Sequence, residues 1–383
     1  MVSEVRTREG RVFHGSGALE ELPRILESEG WERPLLLTTP GGVRRLPAAL
    51  QSHAAGSGTV PLVGIVAEAR PHVPPEGVEA AREATARLEP DSLIALGGGA
   101  ALGLAKVVAL ETGLPIAALP TTFSGSEMTN VWGRSDSAGK STGRDDRAAP
   151  RVVLYDPELV RSLPPQLAAA SGMNSLAHSV GVLTSPSSNP LALLLAGEAA
   201  KILAASLPRV VTEGQDHERA LWGAHLSARA LDMSSMGLHH RLCHILGGRL
   251  RLSHARTHAV LLPFTTQVAL RHHPEGAPPL LAALAGSAEG HLVSVPQGTE
   301  RTPTPEGAPT AVGQALLEMN RRLGLPLSLA EVLAEVEASD GVLDEVADEA
   351  VGERRGYRIP ATASEIRALL AAAWRGALPE HTD

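Results

Sequence analysis

The first part of the chain alternates short apolar runs with amphipathic stretches. Apolar runs typical of buried strands start at Pro34, Leu62, Ser92, Pro115 and Arg151. Between them, residues 77–88 and 101–110 carry apolar positions at helical spacing. This alternation predicts a mostly parallel sheet with helices on both faces, which binds ligands beyond the carboxyl ends of its strands. We therefore predict an α/β, Rossmann-like N-terminal domain over residues 1–156.

Beyond Pro157 the pattern changes to long stretches rich in Ala and Leu with few β-branched runs. It predicts an all-α C-terminal domain over residues 157–383, with the boundary near Asp156. Residues 293–313 are rich in Pro, Thr, Gly and Glu, which predicts a polar excursion between helices rather than a packed element. Residues 361–377 predict a closing helix. Two domains also fit the length, because 383 residues exceed what one core usually supports.

Composition and charge narrow the range of partners. The formal net charge is -8 and no dense basic block is present, which argues against a general affinity for nucleic acid or anionic membranes. The sequence has no run of about 18 uncharged apolar residues, and its N-terminus lacks the apolar run of a signal peptide. We therefore expect a cytoplasmic protein that acts on a small molecule.

The chain has a single cysteine, Cys243. An intramolecular disulfide and a cysteine-rich zinc site are excluded, so the candidate metal ligands are imidazole, amide and carboxylate groups. For Cys243 itself, a buried apolar filler is the favoured interpretation and a nucleophile is the alternative.

Histidines are concentrated in one segment, between His239 and His258. His240 and His244 are four residues apart among leucines at helical spacing, so both imidazoles should project from one helix face. Upstream, Asn174 and His178 have the same spacing. The two pairs predict a metal site, or a site descended from one, and the alternative is a set of separate helix-packing histidines.

Three consecutive glycines follow the strand predicted from Ser92, at Gly97, Gly98 and Gly99, and lead directly into a helix. Glycine lets the backbone approach an anion closely, and the first turn of a helix offers free N–H groups and a partial positive charge. The junction therefore fits a pyrophosphate. Taken alone, it fits a tight strand–helix connection equally well.

Four motifs together carry a family resemblance. In order, residues 97–99, 119–129, 172–178 and 237–244 resemble the motifs of iron-containing alcohol dehydrogenases and, more narrowly, those of the maleylacetate reductase branch. The similarity runs over residues 11–374. It implies the architecture shared by dehydroquinate synthase-like proteins and iron-containing alcohol dehydrogenases, an oxidoreductase activity, and a homodimer.

The resemblance also implies NADH or NADPH as the cofactor. The glycine turn would hold the pyrophosphate, the 119–129 motif would line the remaining path, a lysine would reach the ribose region, and a Thr-Thr-Pro segment would border the adenosine ribose. In that order, the matching residues are Gly98, Gly99 and Ala100; Thr121, Thr122, Ser126 and Met128; Lys140; and Thr38, Thr39 and Pro40. The position that would favour NAD carries no acidic residue, which leaves the phosphate preference open.

Metal-using members of the family hold their cation with a carboxylate and three histidines. The matching positions here are Asn174, His178, His240 and His254. Because an amide replaces the anionic ligand, we expect no catalytic metal, in agreement with the maleylacetate reductase branch, which shows the same asparagine. Zinc held by three imidazoles is the alternative.

The reaction implied by the branch is hydride transfer to the activated C=C bond of a 4-oxo-2-enedioate, which gives an enolate that is then protonated. Histidines would stabilise the enolate and supply the proton, and an arginine would anchor one carboxylate unless it is a surface salt-bridge residue. The candidates are His244, His240, His254 and His178 for the first role, Arg241 for the second, and His258 as a residue that orients His254. His239 is interpreted as a packing residue and set aside.

Two departures from the family leave other functions open. Ala100 replaces the serine usual after the glycines, and Gly181 replaces a common glutamate. The alternatives are a metal-dependent alcohol or aldehyde dehydrogenase, and a non-redox lyase, cyclase or ligand-binding relative diverted to a biosynthetic pathway.

Overall fold

The computed structural model describes residues 3–6, 10–51, 59–136, 139–250, 252–285, 304, 306–334, 341–351 and 361–378, with backbone alone at 3–6, 136, 139 and 140. The chain divides into two compact units, Met1–Leu163 and Pro164–Asp383. The division falls after Leu163, whereas the change in sequence pattern predicts it near Asp156.

The N-terminal unit is built on a seven-stranded sheet with a separate hairpin. Its strands are β1 (Ser3–Arg6), β2 (Arg11–His14), β3 (Pro34–Thr38), β4 (Gly64–Val66), β5 (Ser92–Gly97), β6 (Ile116–Pro120), β7 (Val131–Asp136), β8 (Gly139–Arg144) and β9 (Val152–Tyr155). The large sheet has the order β1-β2-β9-β6-β5-β3-β4; β1 is antiparallel to β2 and the other pairs are parallel. Strands β7 and β8 form the antiparallel hairpin.

Helices follow most of the parallel strands of this unit. They are α1 (Leu22–Glu29), α2 (Pro40–Val43), α3 (Pro75–Leu88), α4 (Gly99–Thr112) and α5 (Pro157–Arg161). The central strands are predominantly apolar because the sheet is covered on both faces, and Leu36 and Ile94 are fully buried. The predicted α/β domain with a mostly parallel sheet is confirmed. The β1–β2 pair and the β7–β8 hairpin were not predicted.

The described part of the C-terminal unit is predominantly helical, as predicted. Its helices are α6 (Pro165–Leu183), α7 (Pro190–Glu213), α8 (His217–Asp232), α9 (Leu238–Leu250), α10 (His254–His272), α11 (Ala277–Ala285), α12 (Ala308–Arg322), α13 (Leu329–Leu333), α14 (Val342–Val351) and α15 (Ala363–Arg375). Apolar side chains of α9, α10, α14 and α15 share one core. This core fixes α9 and α10, the two helices that carry the histidine-rich segment.

Helix α7 is long and apolar enough to span a membrane by length and composition alone. It packs against α6, α8 and α11, and small residues such as Ala196 and Ala200 are fully buried. Within this unit α7 is therefore a core helix.

The predicted polar excursion at residues 293–313 is wrong over its last part. Residues 293–303 and 305 lie outside the described residues, but helix α12 begins at Ala308. Pro309 lies in the first turn, where its missing N–H costs nothing, and Val312 and Leu316 are buried at helical spacing. The proline content of the segment concealed a helix start. The closing helix, in contrast, is present as α15, with a capping box formed by Thr362 and Glu365.

Candidate active site

The glycine turn lies where β5 ends and α4 begins. Gly97 has a φ of 151°, and a Cβ on Gly98 would lie 2.8 Å from the Thr122 hydroxyl, so local packing requires both glycines. A Cβ on Gly99 would meet no atom within 4 Å. Open space therefore lies beside the first turn of α4, which includes Ala100 and whose N–H groups have no partner inside the helix. This geometry fits a pyrophosphate.

Neighbouring predicted cofactor residues lie at the same edge of the sheet, because parallel strands end together there. The Thr38 hydroxyl donates to the Leu96 carbonyl at 2.8 Å. Thr39 caps α2, which begins at Pro40, by accepting from Gly42 N at 3.0 Å. The Thr122 Oγ1 atom is buried and has no hydrogen-bond partner among the described residues, so it is an unused hydrogen-bonding group at this edge. Thr38 and Thr39 have structural roles.

A buried lysine fixes the segment that carries Ser126 and Met128. Lys106, on α4, is 1% exposed, and its ammonium donates to the carbonyls of Ser126, Thr129 and Val131, each at 2.8 Å. Lys106 was not among the residues predicted from the sequence, although a lone cation within the apolar stretch 101–110 was a usable signal.

The same segment contains a buried carboxyl group. Tyr155 donates its hydroxyl proton to Glu127 Oε1 at 2.8 Å. Burial raises the pKa of Glu127. The Lys106 and Glu127 contacts together hold the 126–131 backbone in place. The side chain of Lys140, the remaining predicted cofactor residue, lies outside the described residues.

In the C-terminal unit, helices α6, α9 and α10 bring six histidines together. We call them the imidazole cluster: His178, His239, His240, His244, His254 and His258. The ring centroids of His178 and His240 are 5.3 Å apart with an interplanar angle of 19°, and those of His240 and His258 are 5.2 Å apart. His254 lies 4.3 Å from His258 and 5.8 Å from His244. All five histidines named as candidates from the sequence thus belong to one cluster, and their chemical roles stay predictions.

The histidines of the cluster differ in burial, from exposed at one end to fully buried in the interior. His254 is exposed and His244 is half-buried, whereas His240 is 3% and His258 0% exposed. Desolvation lowers the pKa of His240 to about 4, and it lowers the pKa values of His178, His239 and His258 well below the usual range. The interior imidazoles are therefore neutral at pH 7. His240 can donate a hydrogen bond but does not serve as a cationic acid.

Several ring nitrogens of the interior histidines make no hydrogen bond within the described residues. Both nitrogens of His240, Nδ1 of His178 and Nε2 of His258 are buried without a hydrogen-bond partner within the described part of the chain. Buried polar atoms are seldom left in this way, and such atoms point to a ligand, a water or an ion.

A cavity of about 420 Å³ adjoins the cluster. Its lining includes His239, His240, Thr265 and Gly181. A Cβ at Gly181 would lie 3.7 Å from the His240 ring, so a longer side chain there would project toward the cluster. The glycine at this position leaves that space open.

The position of Arg241 matches neither of its two predictions, which were a carboxylate anchor in the site and a surface salt-bridge residue. The side chain is buried, and its Nη2 donates to the Glu349 carbonyl at 2.8 Å, with the Glu349 carboxylate at 3.9 Å. It therefore connects α9 to α14, and it is neither a surface residue nor part of the cavity lining. The prediction from the sequence lacked the position of α14, which determines where the guanidinium goes.

The donor set fits a divalent cation poorly. Among the residues that the structure describes, the only group of three His, Cys, Asp or Glu ligand atoms within 4.8 Å of one another is His239, Cys243 and His258. His178, His240 and His254 form no such group, and the fourth position holds the neutral amide of Asn174. Within the compact group, burial raises the pKa of the Cys243 thiol, which keeps the proton that a metal would have to displace.

His239, which was interpreted as a packing residue and set aside, belongs to the cluster. Its Nε2 lies 2.9 Å from His258 Nδ1 and its Nδ1 lies 2.8 Å from Thr265 Oγ1. The available signal was the spacing of His258 and Thr265, which are seven residues apart on one face of a helix.

Comparison with known proteins agrees with this geometry. The sequence pattern of iron-containing alcohol dehydrogenases matches residues 9–157, and that of the C-terminal region of the same family matches residues 168–374. The chain belongs to the iron-containing alcohol dehydrogenase family. It is an NAD(P)H-dependent oxidoreductase.

Within this family the chain is similar to maleylacetate reductases. It is 43% identical to maleylacetate reductase 2 of Cupriavidus pinatubonensis over 256 residues. The matched residues make up 66% of this chain and 70% of the relative. It is 35% identical to the maleylacetate reductase of Rhizobium sp. strain MTP-10005 over 98% of both chains. The crystal structure of the maleylacetate reductase from that strain superposes with a TM-score of 0.82 over 99% of both chains, at 34% identity. The predicted family resemblance is confirmed.

Proposed function

We propose that this protein reduces the activated C=C bond of a 4-oxo-2-enedioate, the substrate class of maleylacetate reductases, with NADH or NADPH and without a metal ion. The observation that carries the proposal is the 35% identity to a maleylacetate reductase along 98% of both chains. Neutral imidazoles with unused nitrogens support it, because they offer hydrogen bonds where a family member with a metal would offer a cation.

The balance of the reaction defines what the residues have to do. NADH or NADPH, when bound, would supply a hydride to the alkene carbon farther from the ketone. The C=C electron pair moves toward the ketone, whose oxygen becomes the enolate oxygen. A proton then adds to the other alkene carbon, the one bonded to the carbonyl carbon, and the ketone is restored. The protein must therefore stabilise negative charge on one oxygen and deliver one proton.

The graded burial of the imidazole cluster suits both tasks. His240, neutral and dry, donates an N–H hydrogen bond toward the enolate oxygen without carrying charge itself. His244 and His254 are accessible to solvent, so they exchange protons with water and are our candidates for proton delivery. His178, stacked on His240, keeps that ring in place.

The test is a turnover assay on chelator-treated protein. We expect the treated protein to oxidise NADH or NADPH in the presence of an enone diacid, at the rate of untreated protein. The assay includes a saturated aldehyde in parallel. Failure of both cofactors with every enone diacid would overturn the proposal.

A metal-dependent alcohol or aldehyde dehydrogenase is the second candidate, since three of the four family metal positions are histidines. Elemental analysis separates the two. Stoichiometric zinc or iron whose removal abolishes turnover would favour this candidate. The non-redox alternative suggested by Ala100 and Gly181 is not retained, because the family matches identify an NAD(P)H-dependent oxidoreductase.

We also propose a cytoplasmic homodimer that binds neither nucleic acid nor membranes. Support for self-association comes from large apolar side chains at the start of α7, where Leu191 is 55% and Leu194 is 69% exposed. Light scattering of the purified protein tests the dimer, and a mass equal to one chain at working concentration would contradict it.

A further inference from the structure

Two histidines of the imidazole cluster and a neighbouring threonine form a hydrogen-bonded line. Thr265 Oγ1 lies 2.8 Å from His239 Nδ1, and His239 Nε2 lies 2.9 Å from His258 Nδ1. All three residues are buried, and His258 is 0% exposed. We call this line the relay.

The first bond of the relay has a defined direction. The Thr265 hydroxyl has one proton, and it lies 2.9 Å from the Leu261 carbonyl and 3.2 Å from the Leu262 carbonyl, which accept only. The proton is therefore directed to the helix backbone, and the oxygen accepts from His239. The proton of His239 must be on Nδ1.

The second bond follows from the first. His239 is buried, and its ring nitrogens meet a hydroxyl oxygen and another imidazole, so the ring is neutral and a proton on Nδ1 leaves Nε2 bare. His239 Nε2 thus accepts from His258, whose proton is on Nδ1.

The end of the relay is a bare nitrogen in the middle of the cluster. His258 is fully buried and its Nδ1 is bonded to a neutral imidazole, so it is neutral too and its Nε2 carries a lone pair. That atom is buried and has no hydrogen-bond partner among the described residues.

We propose that Thr265 and His239 are positioning residues that hold His258 in the tautomer with a bare Nε2, so that the deepest imidazole of the cluster accepts a hydrogen bond. The group it receives is an O–H donor, supplied by an ordered water or by a hydroxyl of a bound ligand. The donors to a developing enolate must then be other rings of the cluster. The kinetic consequence rests on the proposed function, whereas the tautomer does not.

The decisive measurement is the tautomer of the ring nitrogens, read by NMR on full-length protein labelled in histidine with ¹⁵N. Signals are assigned by comparison with His239→Gln and His258→Gln. We expect His239 and His258 to be protonated at Nδ1 in the unaltered protein and in Thr265→Ser, which keeps the hydroxyl. Thr265→Val frees His239 to reverse its tautomer, and we expect both rings to show mixed protonation.

Thr257→Val is the matched control. Thr257 is also a fully buried threonine of α10 that donates to the carbonyl four residues earlier, at 2.9 Å, and it lies outside the relay. We expect it to leave both tautomers unchanged. Thermal unfolding of each variant separates a loss of fold from a change of tautomer.

Steady-state kinetics provide the second readout. We expect Thr265→Val to lower kcat roughly tenfold, the effect of about one hydrogen bond, with KM changed less than about twofold, and Thr265→Ser to restore kcat. A proton on Nε2 of His258 in the unaltered protein, or unchanged tautomers in Thr265→Val, would overturn the inference. If no enone diacid is turned over while the tautomers are as expected, the proposed function fails and the relay stands.

Discussion

The two candidate regions bury polar nitrogens in opposite ways. In the N-terminal unit, the ammonium of Lys106 donates to three carbonyls and is also 3.2 Å from the Thr129 hydroxyl. In the C-terminal unit, His240 keeps two buried ring nitrogens without a partner among the described residues. The difference separates a group that holds the fold from a group that is available to a ligand.

The chemistry of the two side chains explains why each arrangement is possible. A lysine buried as a cation loses its hydration and needs several acceptors in return. An imidazole avoids that cost by releasing its proton, and the lowered pKa of His240 records this. Unused nitrogens are therefore tolerated in a histidine cluster.

The largest expected effect concerns Lys106, the buried nitrogen that is fully hydrogen-bonded. Lys106→Met leaves three buried carbonyls without a donor, and we expect the free energy of unfolding to fall by about 3–5 kcal/mol. NADH affinity should fall with it, since the 126–131 backbone loses its anchor. Urea unfolding and fluorescence titration measure the two effects.

Lys201→Met is the control for Lys106→Met. Lys201 is exposed on α7 and pairs only at the surface with Glu198 at 3.3 Å, so a change within about 0.5 kcal/mol is expected. Equal effects of the two substitutions would show that the Lys106 network does not hold the fold.

The second prediction concerns His240. His240→Phe keeps a ring of similar size and removes the two ring nitrogens that have no partner among the described residues. We expect stability to hold or rise, because no hydrogen bond within the described residues is lost, while kcat falls about 100-fold or more. Turnover and unfolding are measured on the same preparation. His225→Phe, a ring replacement outside the cluster, should retain turnover, and a stability loss for His240→Phe comparable to that of Lys106→Met would contradict the comparison.

The pH dependence of stability sharpens the same point. Burial lowers the pKa of His240 from its usual value of 6.5 to about 4 in the folded chain, so the unfolded chain binds the proton first as pH falls. This residue's contribution is complete above pH 6.5 and declines by up to about 1.4 kcal/mol per pH unit down to pH 4. Urea unfolding across that window measures the slope. His240→Phe should flatten it, and an unchanged slope would contradict the dry environment of the ring.

The smallest expected effect concerns Arg241. Because its guanidinium contacts Glu349 and not the cavity, Arg241→Lys should change KM for an enone diacid by less than about twofold and lower stability by about 1 kcal/mol. Steady-state kinetics decide between this role and the predicted carboxylate anchor. A tenfold increase in KM would instead support Arg241 as the residue that anchors a substrate carboxylate.

The sequence predicted features that depend on local pattern. Strand β5, the glycine turn and α4 follow from apolar runs and glycine spacing, and the helix predicted to carry His240 and His244 is present as α9. Convergence of several histidines was a fair expectation because each pair is four residues apart on a helix. Such signals are carried within one element.

Features that depend on how elements pack were missed. His239 was set aside because its ring points away from His240 along α9, yet α10 passes on that side and supplies His258 and Thr265. Arg241 was misplaced for the corresponding reason, since its partner lies on α14. Periodicity assigns a side chain to a face of a helix and does not say which neighbour that face meets.

The burial of Cys243 has a practical consequence. The chain has one thiol, and it is fully buried with its pKa raised, so thiol reagents can react only with molecules whose histidine-bearing helices have separated. The rate of alkylation thus counts opening events of the C-terminal unit without any engineered label. Slower alkylation in the presence of a small molecule would identify that molecule as a ligand of this unit before any turnover is known.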